Sequence, residues 1–158
     1  MPINKGLFTS NNPAYETPKE FYNKYNSKYN FTLDACASDT NHLCDNYYTV
    51  NNSCLDKDWT GNTVWMNPPY GTEISKFIKK AYDEWKEHNV ETVMLLPART
   101  DTKWFHDYIY RKRGVKIEFI KGRLHFCTNG VPDKNGAPFP SMIVVYKKRE
   151  VNNGNSKD

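Results

Sequence analysis

The sequence predicts an α/β protein: a sheet with helices on both faces and an antiparallel hairpin at its C-terminal end. Three observations predict it. Helical and strand-like segments alternate through residues 17–109. Thr92-Val93-Met94-Leu95-Leu96-Pro97 is a continuous apolar run, as in a central strand buried on both faces. Val115 to Ile120 and Met142 to Tyr146 are β-rich with no helical period between them, so they read as an antiparallel pair joined by a long loop.

The elements follow in order. Residues 1–16 are polar and rich in Asn and Pro, an arm; 17–148 form one domain; 149–158 read as a disordered tail. Thr17-Pro18-Lys19-Glu20 has the pattern of a capping box with Pro at the first helical position, predicting a helix that carries Phe21, Tyr22 and Tyr25. Phe31-Thr32-Leu33-Asp34 predicts a buried strand ending in a carboxylate, and Cys44 to Thr49 a weaker strand. Thr63 to Met66 predicts a strand running straight into Asn67-Pro68-Pro69-Tyr70-Gly71. Ile74, Phe77, Ile78, Ala81, Tyr82 and Trp85 share one face of a 3.6-residue period, the clearest helix in the chain. Asp101 is placed to cap a helix bearing Trp104, Phe105, Tyr108 and Ile109.

Composition excludes several classes. With 158 residues the chain can build a core without disulfides or metal. No apolar run approaches a membrane span, and the N-terminus lacks the apolar stretch of a signal peptide, which points to the cytoplasm. Cys36, Cys44, Cys54 and Cys127 contain no C-x-x-C pair; a zinc set from Cys36, His42, Cys44 and Cys54 has long, irregular gaps, so reduced thiols and no metal are expected. The net charge of +4 permits nucleic acid as a partner, and the 15% aromatic content supplies rings that fill a core or stack on bases.

In open α/β sheets ligands bind beyond the carboxyl ends of the strands. There Asn67-Pro68-Pro69-Tyr70 is the sharpest signal. Two successive prolines fix two φ angles and remove two N–H donors, which leaves a stiff turn of main-chain carbonyls, an amide and a ring. The Asn67 amide oxygen and the Pro68 carbonyl can both accept hydrogen bonds from one amino group, while Tyr70 stacks on a flat ring. That set suits methylation of a planar exocyclic amine. Gripping both hydrogens pulls the nitrogen toward tetrahedral geometry and localises its lone pair.

The sequence resembles the phage-type DNA N6-adenine methyltransferases, within the S-adenosylmethionine-dependent amino-methyltransferases. The resemblance covers about residues 15–147. It rests on Thr17-Pro18, Phe31 to Ala37, Asp58-Trp59, Val64 to Gly71, Pro97 to Thr102 with Trp104-Phe105-His106, Lys121 to Leu124, and Ala137 to Met142. It implies a Rossmann-like methyltransferase sheet over 17–148, the cofactor S-adenosylmethionine, and methyl transfer to the N6 amine of adenine in DNA at a short or loose target. It further implies a phage or prophage source, acting in the host cytoplasm.

Asn67, Pro68, Pro69 and Tyr70 match the catalytic loop, with Asn67 also beside the cofactor. Asp34 and Ala35 match the segment along the cofactor's methionine part, and Thr17 and Pro18 the segment that closes over it. Asp58 matches an acid near the cofactor's adenine, on which Trp59 can stack. Arg99 and Arg123 are candidates for contact with DNA phosphate or substrate. Asp34-Ala35-Cys36-Ala37 departs from the Gly-rich turn usual in the wider class. Two alternatives stay open: a protein glutamine or RNA methyltransferase on the same fold, and a non-catalytic nucleic-acid-binding protein.

Overall fold

The structure is a computed structural model that describes residues 15–150. The expected arm is therefore described only at Tyr15 and Glu16, and the expected tail only at Arg149 and Glu150; the remainder of both lies outside the described residues.

Helix α1 spans Lys19–Tyr29 and ends on Asn30, whose φ of 55° is left-handed. The capping box does not form. Pro18 is the N-cap with an extended backbone and no side-chain cap bond. The Thr17 hydroxyl is engaged elsewhere, accepting a bond from Asn67 Nδ2 at 3.1 Å. Strand β1 shrinks to Leu33–Asp34. The weaker strand expected at Cys44 to Thr49 reduces to two isolated bridges, Tyr47 to Asp34 and Thr49 to Asn52. Asp45 and Asn46 are exposed there, so no apolar row holds a longer register. A 3₁₀ turn at Cys54–Asp56 follows, with Ser53 Oγ accepting from the Leu55 N–H.

Strand β2 (Thr63–Met66), helix α2 (Ile74–His88) and strand β3 (Glu91–Pro97) form a parallel crossover unit where the pattern predicts it. Helix α3 (Lys103–Tyr108) is capped by Thr102, not Asp101: the Phe105 N–H donates to the Thr102 hydroxyl at 3.3 Å. Ile109 closes the helix without joining it. Strand β4 is Val115–Phe119; a two-rung hairpin, β5 (Cys127–Thr128) and β6 (Val131–Pro132), sits in the following loop; β7 is Ser141–Tyr146.

The main sheet has the order β1-β2-β3-β7-β4, parallel through β3 and antiparallel on either side of β7. Register assigns its two faces. Trp65, Val93 and Val145 share one row, and Trp65 meets Tyr22 of α1 edge to face at 5.3 Å. Thr92 and Tyr146 share the neighbouring row, and Tyr146 stacks on Trp85 of α2 at 4.7 Å. Helices thus cover both faces. Val93, Met94, Leu95 and Leu96 are wholly buried, and such side chains contribute roughly 1.5–3 kcal/mol each.

The parallel strands put Asp34, Met66 and Pro97 at one pole. Pro97 pairs with Ser141 and Phe119 with Met142, so the loop 120–140 leaves from that same pole. No helix among the described residues is long and apolar enough to cross a membrane.

Candidate active site

A cavity of about 680 Å³ opens at the carboxyl pole. Three stretches wall it: the strap Tyr15-Glu16-Thr17, the end of β1 from Asp34 to Ser38 with Ser53-Cys54-Leu55, and the turn Asn67 to Tyr70. The sequence places these far apart; the parallel strands bring them together.

Asp34 is 3% exposed. Its Oδ2 accepts from the Leu43 N–H at 2.9 Å, while Oδ1 is buried and has no hydrogen-bond partner among the described residues. Burial pushes its carboxyl up to about 6, against the pull of the Leu43 and Cys36 N–H groups and of His42. A buried acceptor without a hydrogen bond is costly, and a cation at this wall would satisfy it. Ala35 is buried beside it, its N–H on the Trp65 carbonyl at 3.0 Å.

Asn67 follows β2 and is half-buried. Its Nδ2 donates to the Tyr15 carbonyl at 2.7 Å and to the Thr17 hydroxyl at 3.1 Å. Both hydrogens are then engaged, and Oδ1 is left buried without a partner among the described residues. Pro68 is buried and Pro69 half-buried in the same turn.

The Tyr70 ring is anchored through its hydroxyl, which donates to the Leu95 carbonyl of β3 at 3.1 Å. Burial pushes that phenol well above its ordinary value. Tyr15 stacks on the ring with centroids 5.5 Å apart, and Phe126 and Phe139 stand edge to face against it.

The structure separates other expected site residues from the cavity. Trp59 is fully buried, its indole N–H on the Cys54 carbonyl at 3.1 Å and its backbone N–H on Glu84. It braces the wall from behind and presents no face to a ligand. Asp58 points outward, 70% exposed, toward His88 on α2. Pro18 caps α1 outside the cavity lining. Arg99 is exposed at the rim with its guanidinium 5.6 Å from the Phe139 ring. Arg123 is exposed and ties its guanidinium to the Ala137 carbonyl at 3.1 Å, bracing the long loop.

Sequence reasoning missed Tyr15, which it assigned to the arm, and Phe126 and Phe139, which lie in the long loop. The only local signal was the position of Tyr15 just before Thr17-Pro18. Leu43, Ser53 and Leu55 also line the cavity, and no spacing announces them.

A profile of the DNA N-6-adenine-methyltransferase (Dam) family matches residues 7–155. A protein of Escherichia phage T1 named DNA N-6-adenine-methyltransferase is 37% identical over 112 residues, 70% of this chain and 45% of that protein. One of the same name from Haemophilus phage HP1 is 33% identical over 122 residues, 75% of this chain and 68% of its own length. The chain thus spans less than half of the first of these relatives. The matched stretch contains every wall of the cavity, and the chain belongs to the DNA N-6-adenine-methyltransferase (Dam) family.

Proposed function

We propose that this protein transfers a methyl group from S-adenosylmethionine to the N6 amine of adenine in DNA, at a short or loose target, on a Rossmann-like sheet. One observation carries the reading: two buried acceptors without partners among the described residues, Asp34 Oδ1 and Asn67 Oδ1, belong to residues lining one cavity. The first fits a cationic amino group, the second an amine's hydrogen.

The cavity volume of about 680 Å³ lies within the usual range for small-ligand sites. Asp34 would hold the amino group of the cofactor's methionine part, with Ala35 allowing close approach and Thr17 across from them. Ser53 and Leu55 offer the wall that the sequence assigned to Asp58 and Trp59. S-adenosylmethionine, when bound, supplies a sulfonium methyl open to attack by a nitrogen lone pair.

The target adenine must leave the duplex, because its amine is otherwise paired. Asn67 Oδ1 and the Pro68 carbonyl then accept its two hydrogens and localise the lone pair. Tyr70 stacks on the purine, held in place by its bond to Leu95. The fixed turn supplies orientation, and no protein base is needed before transfer. The nitrogen becomes acidic only afterwards and releases its proton to solvent. Arg99 and Arg123 reach phosphate near the rim.

Incubation with methyl-labelled S-adenosylmethionine and DNA, followed by nucleoside analysis, tests this. Label in DNA N6-methyladenine supports it. Label confined to cytosine, to RNA or to protein glutamine, or no cofactor binding by calorimetry, overturns it.

A further inference from the structure

Tyr15 lies where a ligand ring belongs. Its ring stacks on Tyr70 at 5.5 Å with planes 26° apart, within the range of aromatic stacking. Phe126 and Phe139 stand steeply across both members of the stack, at 78° and 64° to Tyr15 and at 85° and 74° to Tyr70. The result is a compact four-ring cluster in which Tyr15 covers a face of Tyr70 and the two phenyl rings, 6.0 Å apart, pack together along one side of the stack. The amide of Asn67 is beside it, bonded to the Tyr15 carbonyl at 2.7 Å.

The two tyrosines are held differently. Tyr70 is anchored by its hydroxyl. Tyr15 is held through backbone: its carbonyl on Asn67, and the next residue, Glu16, paired with Cys127 by two bonds of 3.1 and 2.9 Å. The half-buried Tyr15 ring has no hydroxyl bond to break among the described residues, so side-chain rotation out of its ring contacts can free it while the backbone keeps Asn67 oriented.

We propose that Tyr15 is a resident placeholder for the target base. Its ring covers the face of Tyr70 that the adenine takes, and it turns out as the base enters alongside Phe126 and Phe139. This rests on the reading that DNA adenine is the substrate. The exchange swaps one stacked ring for another, so a base gains only the margin by which it stacks better than a phenol. The cost of displacing Tyr15 is the same whichever base enters, so Tyr15 sets how readily a base occupies the site and leaves the choice among bases to contacts with the base itself.

The test uses full-length protein and a methylated site mapped in DNA treated with the wild type. Two end-labelled duplexes carry that site, one intact and one with the target adenine replaced by an abasic nucleotide. The stacking share of an aromatic pair corresponds to about a 2- to 12-fold factor. Tyr15→Ala should bind the intact duplex tighter by about that factor, bind the abasic duplex as the wild type does, and lower KM for DNA. Tyr15→Leu, which keeps apolar bulk without stacking, replaces Ala if that variant does not fold. Unchanged or weaker binding to the intact duplex overturns the proposal, as does an equal shift on both duplexes. Absence of any methylated adenine with the wild type overturns the functional reading, and this one with it.

Discussion

The Asn67 side-chain nitrogen donates to the backbone carbonyl of Tyr15 at 2.7 Å, across fifty-two residues of sequence. This bond and its partner to Thr17 occupy both amide hydrogens and so fix which way the amide oxygen faces. The turn after β2 is thereby aimed by a segment that precedes α1.

Asn67→Ala removes an acceptor that acts as the amine changes geometry, so the loss should appear in kcat. Removal of one preorganised hydrogen bond typically costs about 10²–10³ in rate. Thr17→Val removes one aiming bond only, and a neutral bond of about 0.5–1.5 kcal/mol corresponds to roughly a 2- to 12-fold slowing. Single-turnover rates on folded variants measure both; an Asn67→Ala rate within about threefold of wild type would remove Asn67 from the mechanism.

Asp34→Asn should stabilise the fold and weaken the cofactor. Burial raises the folded carboxyl to about 6 from an ordinary 3.8. The folded state therefore binds more protons than the unfolded one across that window, and stability falls as pH rises through it. The ionised carboxylate thus costs on the order of 1–3 kcal/mol at neutral pH. Asparagine keeps an acceptor for the Leu43 N–H and carries no charge to desolvate. Its Tm at pH 7.5 should exceed that of wild type, while calorimetry shows weaker S-adenosylmethionine binding. Wild-type cofactor affinity should itself decline below about pH 6, as protonation removes the charge that meets the amino group. A variant with unchanged affinity would return Asp34 to a purely structural role.

Tyr70→Phe keeps the ring and loses its bond to the Leu95 carbonyl. Turnover should stay near wild type with stability lower by about 0.5–1.5 kcal/mol. Tyr70→Ala should instead lose DNA affinity and turnover together, since base stacking contributes roughly 1–3 kcal/mol. Chemical denaturation and DNA titration separate the two effects.

Glu84 of α2 accepts from the Trp59 N–H at 3.0 Å, from Lys80 at 2.8 Å and from His88 at 3.0 Å. Glu84→Ala leaves a buried N–H without its acceptor, which costs about 1–3 kcal/mol, or roughly 2–12 °C in Tm at this chain length. The His88 bond to Glu84 raises the imidazole pKa. Its contribution is fully present below the ordinary histidine range and is lost as pH rises through the raised value. Melts of wild type and Glu84→Ala across pH 6.5–8.5 should show a steeper fall with rising pH in wild type, since Asp34 and Asp58 act alike in both proteins.

Two basic clusters, Arg111-Lys112-Arg113 and Lys147-Lys148-Arg149, meet where the Lys147 N–H bonds to the Gly114 carbonyl. They sit beside Val115 and Tyr146, and Tyr146 pairs with Thr92 near the start of β3, at the pole opposite the cavity. Arg99→Ala and Arg123→Ala should each weaken DNA binding and lower the salt slope by about one. Lys148→Ala should leave the slope unchanged. Titrations between 50 and 200 mM salt decide it.

The crossover unit was legible because its signal is local. Ile74, Ile78, Ala81 and Trp85 recur at helical spacing, and residues 92–97 form one apolar run, so pattern and packing agree. The cavity was legible at Asp34 and Asn67 because strand ends carry them. Thr17 misled at the helix start because its hydroxyl has a partner fifty residues away that outweighs the local cap. Trp59 was placed on a ligand by resemblance, but a large indole whose N–H meets a buried carbonyl fills the core. The aromatic cluster was hidden because its four rings come from the strap, the turn after β2 and two points of one long loop.

Glu16 and Cys127 pair across 111 residues of sequence. During synthesis the strap waits for that whole stretch before it can dock, because its hairpin partner is made later. A nascent protein ending before residue 127 lacks β7, which flanks β3, and the Cys127 pairing that fastens the strap which aims Asn67. The Asn67 amide is therefore aimed only after residue 127 has been made and the strap has docked.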